Sequence, residues 1–257
     1  MRLAFIVSPA KKMNVVEGPP YPTSTPRFLD RTRELLGVLQ GLSYQEAKSV
    51  WQCSDKLAEL NYQRVQDMDL CRDLTAAAIA YEGIQYQHLA PSVMDEGALE
   101  YLGEHLRILS GFYGILRPED GVVPYRLEMQ AKLAVPATGE HPAARNLYEF
   151  WGDTLARELA QEADAVVNVA SVEYAKAVTP HLGRMGVPVV SCLFGSVRAS
   201  DGRLVQRSTE AKAARGTFVR WCAERQIDSL EALVGFDDRG YAFGEERSNA
   251  DTLVFVR

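Results

Sequence analysis

The chain has 257 residues, 47 % of them hydrophobic and 24 % charged, enough for one large domain with an ordinary globular core. Its formal net charge of −6 excludes bulk attraction to polyanions, so any phosphate contact must come from a local basic patch. No stretch approaches the roughly 20 apolar residues of a membrane helix. The N-terminal run MRLAFIVSPAKK is too short for a signal sequence. A cytoplasmic protein without a membrane partner is expected.

In chain order, LAFIVS at 3–8 reads as a short buried strand. The proline-rich stretch 12–27 reads as loop, followed by helices over roughly 28–40, 43–53 and 55–67. Ser43 with Glu46 has capping-box spacing, and Ser54 is placed to cap the next helix. The pair 43–67 predicts a helical hairpin and the best candidate for a subdomain within a single 1–257 domain. AAIAY at 76–80 suggests a strand, 95–104 a helix, and 105–117 an apolar helical pattern interrupted by Gly111 and Gly114. Leu147, Trp151, Leu155 and Leu159 predict one helix over 147–161. AVVNVA at 165–170 and VPVVSCLF at 187–194 read as buried strands. A helix is expected over 208–226, a short one over 228–234, and a terminal β-hairpin with its loop at 244–250. Strands alternating with helices predict an α/β (α+β) domain with a mixed sheet.

The chemistry-bearing residues gather at predicted element ends. Ser8 and Lys11 follow the first strand, where open α/β sheets hold ligands. Between Ser110 and Met129, Tyr113, Arg117, Tyr125, Arg126 and Glu128 surround two glycines. Arginine forks suit phosphate or carboxylate, tyrosine rings stack on bases, and Glu128 is a candidate acid–base group or arginine partner. Ser171, Glu173 and Tyr174 follow the strand at 165–170; Ser171 also suits a helix N-cap. On the helix at 208–226, Ala211, Ala214, Phe218, Trp221 and Cys222 share one face, and Arg215 borders it with Lys212 on the same flank. A guanidinium there needs either a carboxylate, such as Glu128 or Glu173, or an anionic ligand. The hairpin offers Ser54, Lys56, Asn61 and Arg64 to a nucleic-acid backbone. The four cysteines and four histidines are scattered, without CxxC, HxxxH or HExxH spacing, so no metal site and no cofactor is expected.

Several stretches together resemble the YaaA family of bacterial peroxide-stress proteins. They are Ser8-Pro9-Ala10-Lys11, SDKLAELN from Ser54, LSGFYGILRP from Leu109 with PYRLEM, LYEFWGD from Leu147, NVAS-x-EY from Asn168, AKAARG from Ala211, and the terminal GFDDRGYAF and LVFVR. The resemblance runs the whole length of the chain. It implies a compact α/β body with a helix-hairpin-helix element, a role in limiting peroxide damage linked to intracellular iron, and affinity for DNA. It supplies no established reaction. Three acidic residues of the family pattern are replaced here, by Asn14, Ile84 and Val172. Two readings follow: non-sequence-specific contact with duplex or branched DNA through a local basic cleft, or an enzyme acting on a nucleobase, nucleotide or other small anion.

Overall fold

The computed structural model describes residues 1–16, 22–139 and 141–257; part of the proline-rich stretch, residues 17–21, lies outside them. The strands in chain order are β1 (Leu3–Val7), β2 (Lys12–Met13), β3 (Thr75–Ala76), β4 (Tyr81–Glu82), β5 (Leu106–Ser110), β6 (Gly114–Leu116), β7 (Gly121–Val122), β8 (Ala165–Asn168), β9 (Val189–Val197), β10 (Leu204–Val205), β11 (Ala242–Phe243) and β12 (Thr252–Val256). The helices are α1 (Leu29–Gln40), α2 (Tyr44–Trp51), α3 (Asp55–Gln66), α4 (Ala77–Ala80), α5 (Ile84–Leu89), α6 (Glu96–His105), α7 (Leu147–Trp151), α8 (Thr154–Glu162), α9 (Val172–Ala175), α10 (Thr179–Arg184) and α11 (Ser208–Glu224).

The main sheet runs β11-β12-β9-β8-β1-β5-β6, with β10 paired to β9. Its five central strands, from β12 to β5, are parallel, and β6, β10 and β11 are antiparallel additions. This is the mixed α/β fold that the alternation of elements predicts. β1 is buried along its whole length, as a strand covered on both faces must be. From β1 the chain crosses to β5 on one side; from β8 it continues to β9 on the other. The connections therefore diverge between β1 and β8, which makes a crevice at the carboxyl ends of those two strands.

Five expectations are corrected. The run 105–117 is not helical: β5 and β6 form a hairpin through Gly111–Tyr113. Leu106–Ser110 is buried at every position, and such a run suits a strand covered on both faces. Ser110 Oγ accepts the backbone N–H groups of Phe112 and Tyr113, fixing the turn, and Gly114 adopts φ +79° after it. Residues 76–80 carry only the end of β3, then one helical turn (α4), consistent with alanine's helix preference. The helix at 147–161 is two helices, broken where Gly152 takes φ +52°. Lys12 and Met13, expected in loop, pair with Glu82 and Tyr81. The short helix near 228–234 is a 3₁₀ turn over Glu231–Gly235.

α2 and α3 form the expected helix pair, joined by residues 52–54, and the Ser43–Glu46 capping box is complete. Ser54 occupies the N-cap of α3 without a side-chain cap bond. α11 packs along α5, α6 and β9, and its expected apolar face is buried. Phe218 meets Phe194 and Phe236 edge-on at 5.4 and 5.1 Å, tying the helix to the sheet. Its approach to α5 is closest at Gly216, where an added Cβ would lie 2.0 Å from Gln85 O and 2.9 Å from Leu89 N. Only glycine fits there without moving backbone.

Gly216→Ala is therefore expected to cost about 1–3 kcal/mol or more, as overpacking does. Gly37→Ala in α1, where an added Cβ meets nothing within 4 Å, is expected to gain about 0.5–1 kcal/mol. Urea midpoints of the two variants against wild type check both signs.

Candidate functional site

The crevice between β1 and β8 opens into a cavity of about 520 Å³. Its floor is set by a serine pair. Ser8, just past β1, donates from its hydroxyl to Ser171 Oγ at 3.2 Å, and the Ser171 N–H returns a bond to Ser8 Oγ at 2.8 Å. Ser171 sits at the N-cap of α9, yet its hydroxyl serves this clasp and not the helix. The Ser8 carbonyl accepts from Gln85 Nε2 at 3.2 Å and from the Tyr86 hydroxyl at 2.9 Å. The chain leaving β1 is thus tied both to β8 and to α5.

One wall is the segment 125–128. It lies against the β5–β6 turn because Gly111 has no side chain: an added Cβ would sit 2.6 Å from Leu127 O. Trp151 Nε1 donates to Gly111 O at 3.1 Å and holds the turn from behind. Tyr125 is fixed from below by a hydroxyl chain, 2.6 Å to Ser110 Oγ and 2.8 Å to the Tyr81 hydroxyl. Ser110 Oγ already accepts two backbone N–H groups, so its own proton is best directed at Tyr125. Burial pushes the Tyr125 phenol up to about 12 despite these bonds, and burial raises Tyr86 and Tyr174 as well, so all three are neutral donors at physiological pH.

The carboxylates of this side differ. Glu128 is held on both oxygens, by Lys11 Nζ at 2.8 Å and by Arg126 at 3.3 Å. Glu173 accepts the Gln130 N–H at 3.2 Å and has no ion-pair partner among the described residues. Burial first, and then the nearby charge of Glu128, push its carboxyl above the usual glutamate range.

The facing wall is α5 and α11, locked together at Gly216. It presents Gln85, Lys212 and Arg215. Arg215 is half-buried, and desolvation lowers its pKa with no compensating group. Its Nε has no hydrogen-bond partner, and among the described residues no carboxylate meets the guanidinium. Neither Glu128 nor Glu173 is its partner.

Ten of the predicted residues thus share one cavity: Ser8, Lys11, Tyr125, Arg126, Glu128, Ser171, Glu173, Tyr174, Lys212 and Arg215. Two from the Ser110–Glu128 segment do not. Tyr113 is fully buried, and its hydroxyl accepts from the Val123 N–H at 3.1 Å. Arg117 points to the sheet edge, where it pairs with Glu162 at 2.6 Å beside Arg107. The hairpin residues Ser54, Lys56, Asn61 and Arg64 do not line the cavity either. Asn61 is buried and donates to Leu57 O at 2.6 Å, so its amide serves α3 itself. Of the three replaced acidic positions, Ile84 lines the cavity, Asn14 lines a smaller one beside it, and Val172 is 85 % exposed. Of the three, Val172 is the position that lines neither cavity.

The sequence reading missed Lys12, Glu82, Gln85 and Tyr86, which complete the rim and the α5 wall. Lys12 and Glu82 pair at 2.7 Å across the β2–β4 contact. Gln85 and Tyr86 lie on α5, whose sequence IQYQHL has no apolar run for polar residues to interrupt, so no periodic signal set them apart. Among the described residues, no group of three or more His, Cys, Asp or Glu side chains is arranged to hold a metal ion.

Glu173 predicts a pH signature. A carboxyl raised in the folded state binds its proton more tightly there than in the unfolded chain, so stability falls as pH rises from the unfolded glutamate pKa, about 4.3, through the folded value. Glu173→Gln removes this loss. The variant is expected to match wild type near pH 4 and to gain on it as pH rises to neutrality, read as the difference in Tm across a pH series.

A family profile described as "Peroxide stress protein YaaA" matches residues 3–247. The chain is 48 % identical over 255 residues to a UPF0246 protein of Lactiplantibacillus plantarum, covering 99 % of each chain. It is 46 % identical to one from Pediococcus pentosaceus, over 99 % of this chain and 98 % of that protein. It is 44 % identical to one from Desulfitobacterium hafniense, with the same coverage. On a match that spans almost every residue of the fold and the cleft, the chain belongs to the family of the peroxide stress protein YaaA.

Proposed function

We propose that this protein contributes to peroxide-stress protection by binding an anionic small molecule in the cleft between β1 and β8. The observation that carries the reading is Arg215, a half-buried arginine whose Nε is buried without a partner and which lines the cavity with no carboxylate among the described residues to meet it. An arginine keeps its charge, so burial without a partner is a standing cost that an anion would remove. Lys212 one turn earlier adds a second cation without an ion-pair partner among the described residues. Five basic side chains line the cavity against three acidic ones, in a chain whose net charge is negative. The volume lies within the roughly 300–1,000 Å³ usual for sites that enclose a small ligand. Of the two carboxylates, Glu173 is the one suited to acid–base work, since both oxygens of Glu128 are already occupied.

DNA contact is the second reading, and Lys212, Lys56 and Arg64 favour it, each without an ion-pair partner among the described residues. Against it, Lys11 and Lys12 are matched by Glu128 and Glu82, and Asp55 and Glu59 share the hairpin tip with Lys56. The iron-linked protection that the family resemblance implies enters the same proposal as a consequence of ligand binding.

Titration calorimetry with inorganic phosphate is expected to show one site, weakened at least tenfold by Arg215→Ala and less by Lys212→Ala. No binding of phosphate at millimolar concentration would sink the reading. Gel shifts of duplex and branched DNA at two salt concentrations test the alternative: phosphate contacts by a few lysines make binding fall steeply with salt. An affinity that survives Arg215→Ala but falls in a Lys56→Ala, Arg64→Ala variant would move the function to the hairpin.

A further inference from the structure

The charges of the cleft are divided unevenly between its walls, and that division describes an occupant. On the α5–α11 side, Arg215 and Lys212 stand without ion-pair partners among the described residues. On the other side Arg126 and Lys11 are both spent on Glu128, while Glu173 meets only a backbone N–H group. What remains unmatched is therefore two cations on one wall and one carboxylate on the other. The cavity is also lined by Ile84 and Tyr86 of α5, by Tyr125 and Leu127 of the opposite wall, and by Tyr174 of α9. The hydroxyls of Tyr86 and Tyr125 are turned to Ser8 O, Ser110 and Tyr81, so these two rings are anchored by their polar ends.

We propose that the occupant is a nucleoside monophosphate, or the chemically equivalent 5′-phosphorylated end of a nucleic-acid strand. Its phosphate lies between Arg215 and Lys212, its base among the tyrosines that line the cavity, and the N–H edge of the base faces Glu173. This rests on the anion-binding reading above and goes further by naming the ligand. A phosphomonoester carries a charge of about −1.5 to −2 near neutrality and three acceptor oxygens, which suits a guanidinium and an ammonium together. A single carboxylate, as in a free amino acid, leaves one of the two cations unmatched. Bare phosphate leaves most of the 520 Å³ unfilled and gives Glu173 nothing to accept from. A carboxylate accepts well from the amino edge of a base, and tyrosine rings give the base a planar surface.

Calorimetric titrations of inorganic phosphate, AMP, CMP and GMP into the full chain decide it. At least one nucleotide is expected to bind tenfold or more tightly than phosphate. Glu173→Gln should erase that advantage while binding phosphate at least as tightly as wild type, because a repelling charge has gone. Arg215→Lys, which keeps the charge but loses the fork, should weaken nucleotide and phosphate together; a melting curve confirms that each variant is folded. Nucleotides that bind no more tightly than phosphate, or a Glu173→Gln variant that keeps the full nucleotide advantage, would overturn the assignment while leaving the anion site standing. Failure of wild type to bind any of them overturns both. Trinucleotides with and without a 5′-phosphate separate the two sources. Preference for the phosphorylated strand over the free nucleotide assigns the strand end, and the reverse assigns the free nucleotide.

Discussion

Helix α11 approaches α5 so closely that no side chain fits at Gly216, and this contact sets the position of the residue beside it, Arg215. The aromatic packing of Phe218 against Phe194 and Phe236 fixes the same helix to the sheet. Arg215 is thereby placed on the α11 wall of the cavity, half-buried and with no carboxylate among the described residues to meet it. A guanidinium held in this way keeps its charge at the expense of its hydration. The other side of the cavity is as firmly built. Gly111 admits the backbone of Leu127 against the β5–β6 turn, and Ser110, Tyr125 and Tyr81 bond in series beneath it. The serine clasp joins the two strand ends at the point where the chain connections diverge. The cleft is thus the place where four separate parts of the chain are locked against one another, and its charge pattern is a property of the fold.

The family match covers this whole arrangement. It establishes the protein as a member of the peroxide-stress family. The asymmetry between Arg215 with Lys212 and the lone Glu173 carries the argument from family to ligand. Salt bridges such as Lys11–Glu128 and Lys12–Glu82 involve lysines that are mostly exposed, and contribute little to stability. Their effect is to spend the basic residues of the rim, so that the unmatched positive charge is confined to α11.

Much of the cleft was legible in the sequence because polar residues there interrupt apolar runs at predicted strand ends. Ser8, Ser171 and Glu173 follow buried strands, and Arg215 borders an apolar helix face at a spacing that arithmetic on the helical wheel gives directly. Arg117 and Tyr113 were not distinguishable from them by spacing. Arg117 faces Glu162, which is 45 residues away in sequence, and Tyr113 falls inside the core through a turn that the pattern 105–117 concealed. That run has the i, i+3, i+4 spacing of a helix and also the continuous apolar character of a covered strand; only burial on both faces decides between them. The break at Gly152 escaped for a related reason. Leu147 through Leu159 keep a four-residue period, and a single positive φ interrupts the helix without disturbing it. The partners of Glu128 and the absence of one for Arg215 are long-range facts that only the folded chain supplies.

The central claim is that Arg215 marks an anion site, and a heavy oxyanion reports on it directly. Crystals soaked in tungstate, a phosphate mimic with a strong anomalous signal, should show a tungsten peak within hydrogen-bonding distance of the Arg215 guanidinium and of Lys212 Nζ. The peak should be absent in Arg215→Ala. Tungsten bound only elsewhere, or an Arg215 side chain found paired with Glu128 or Glu173 in the crystal, would contradict the account.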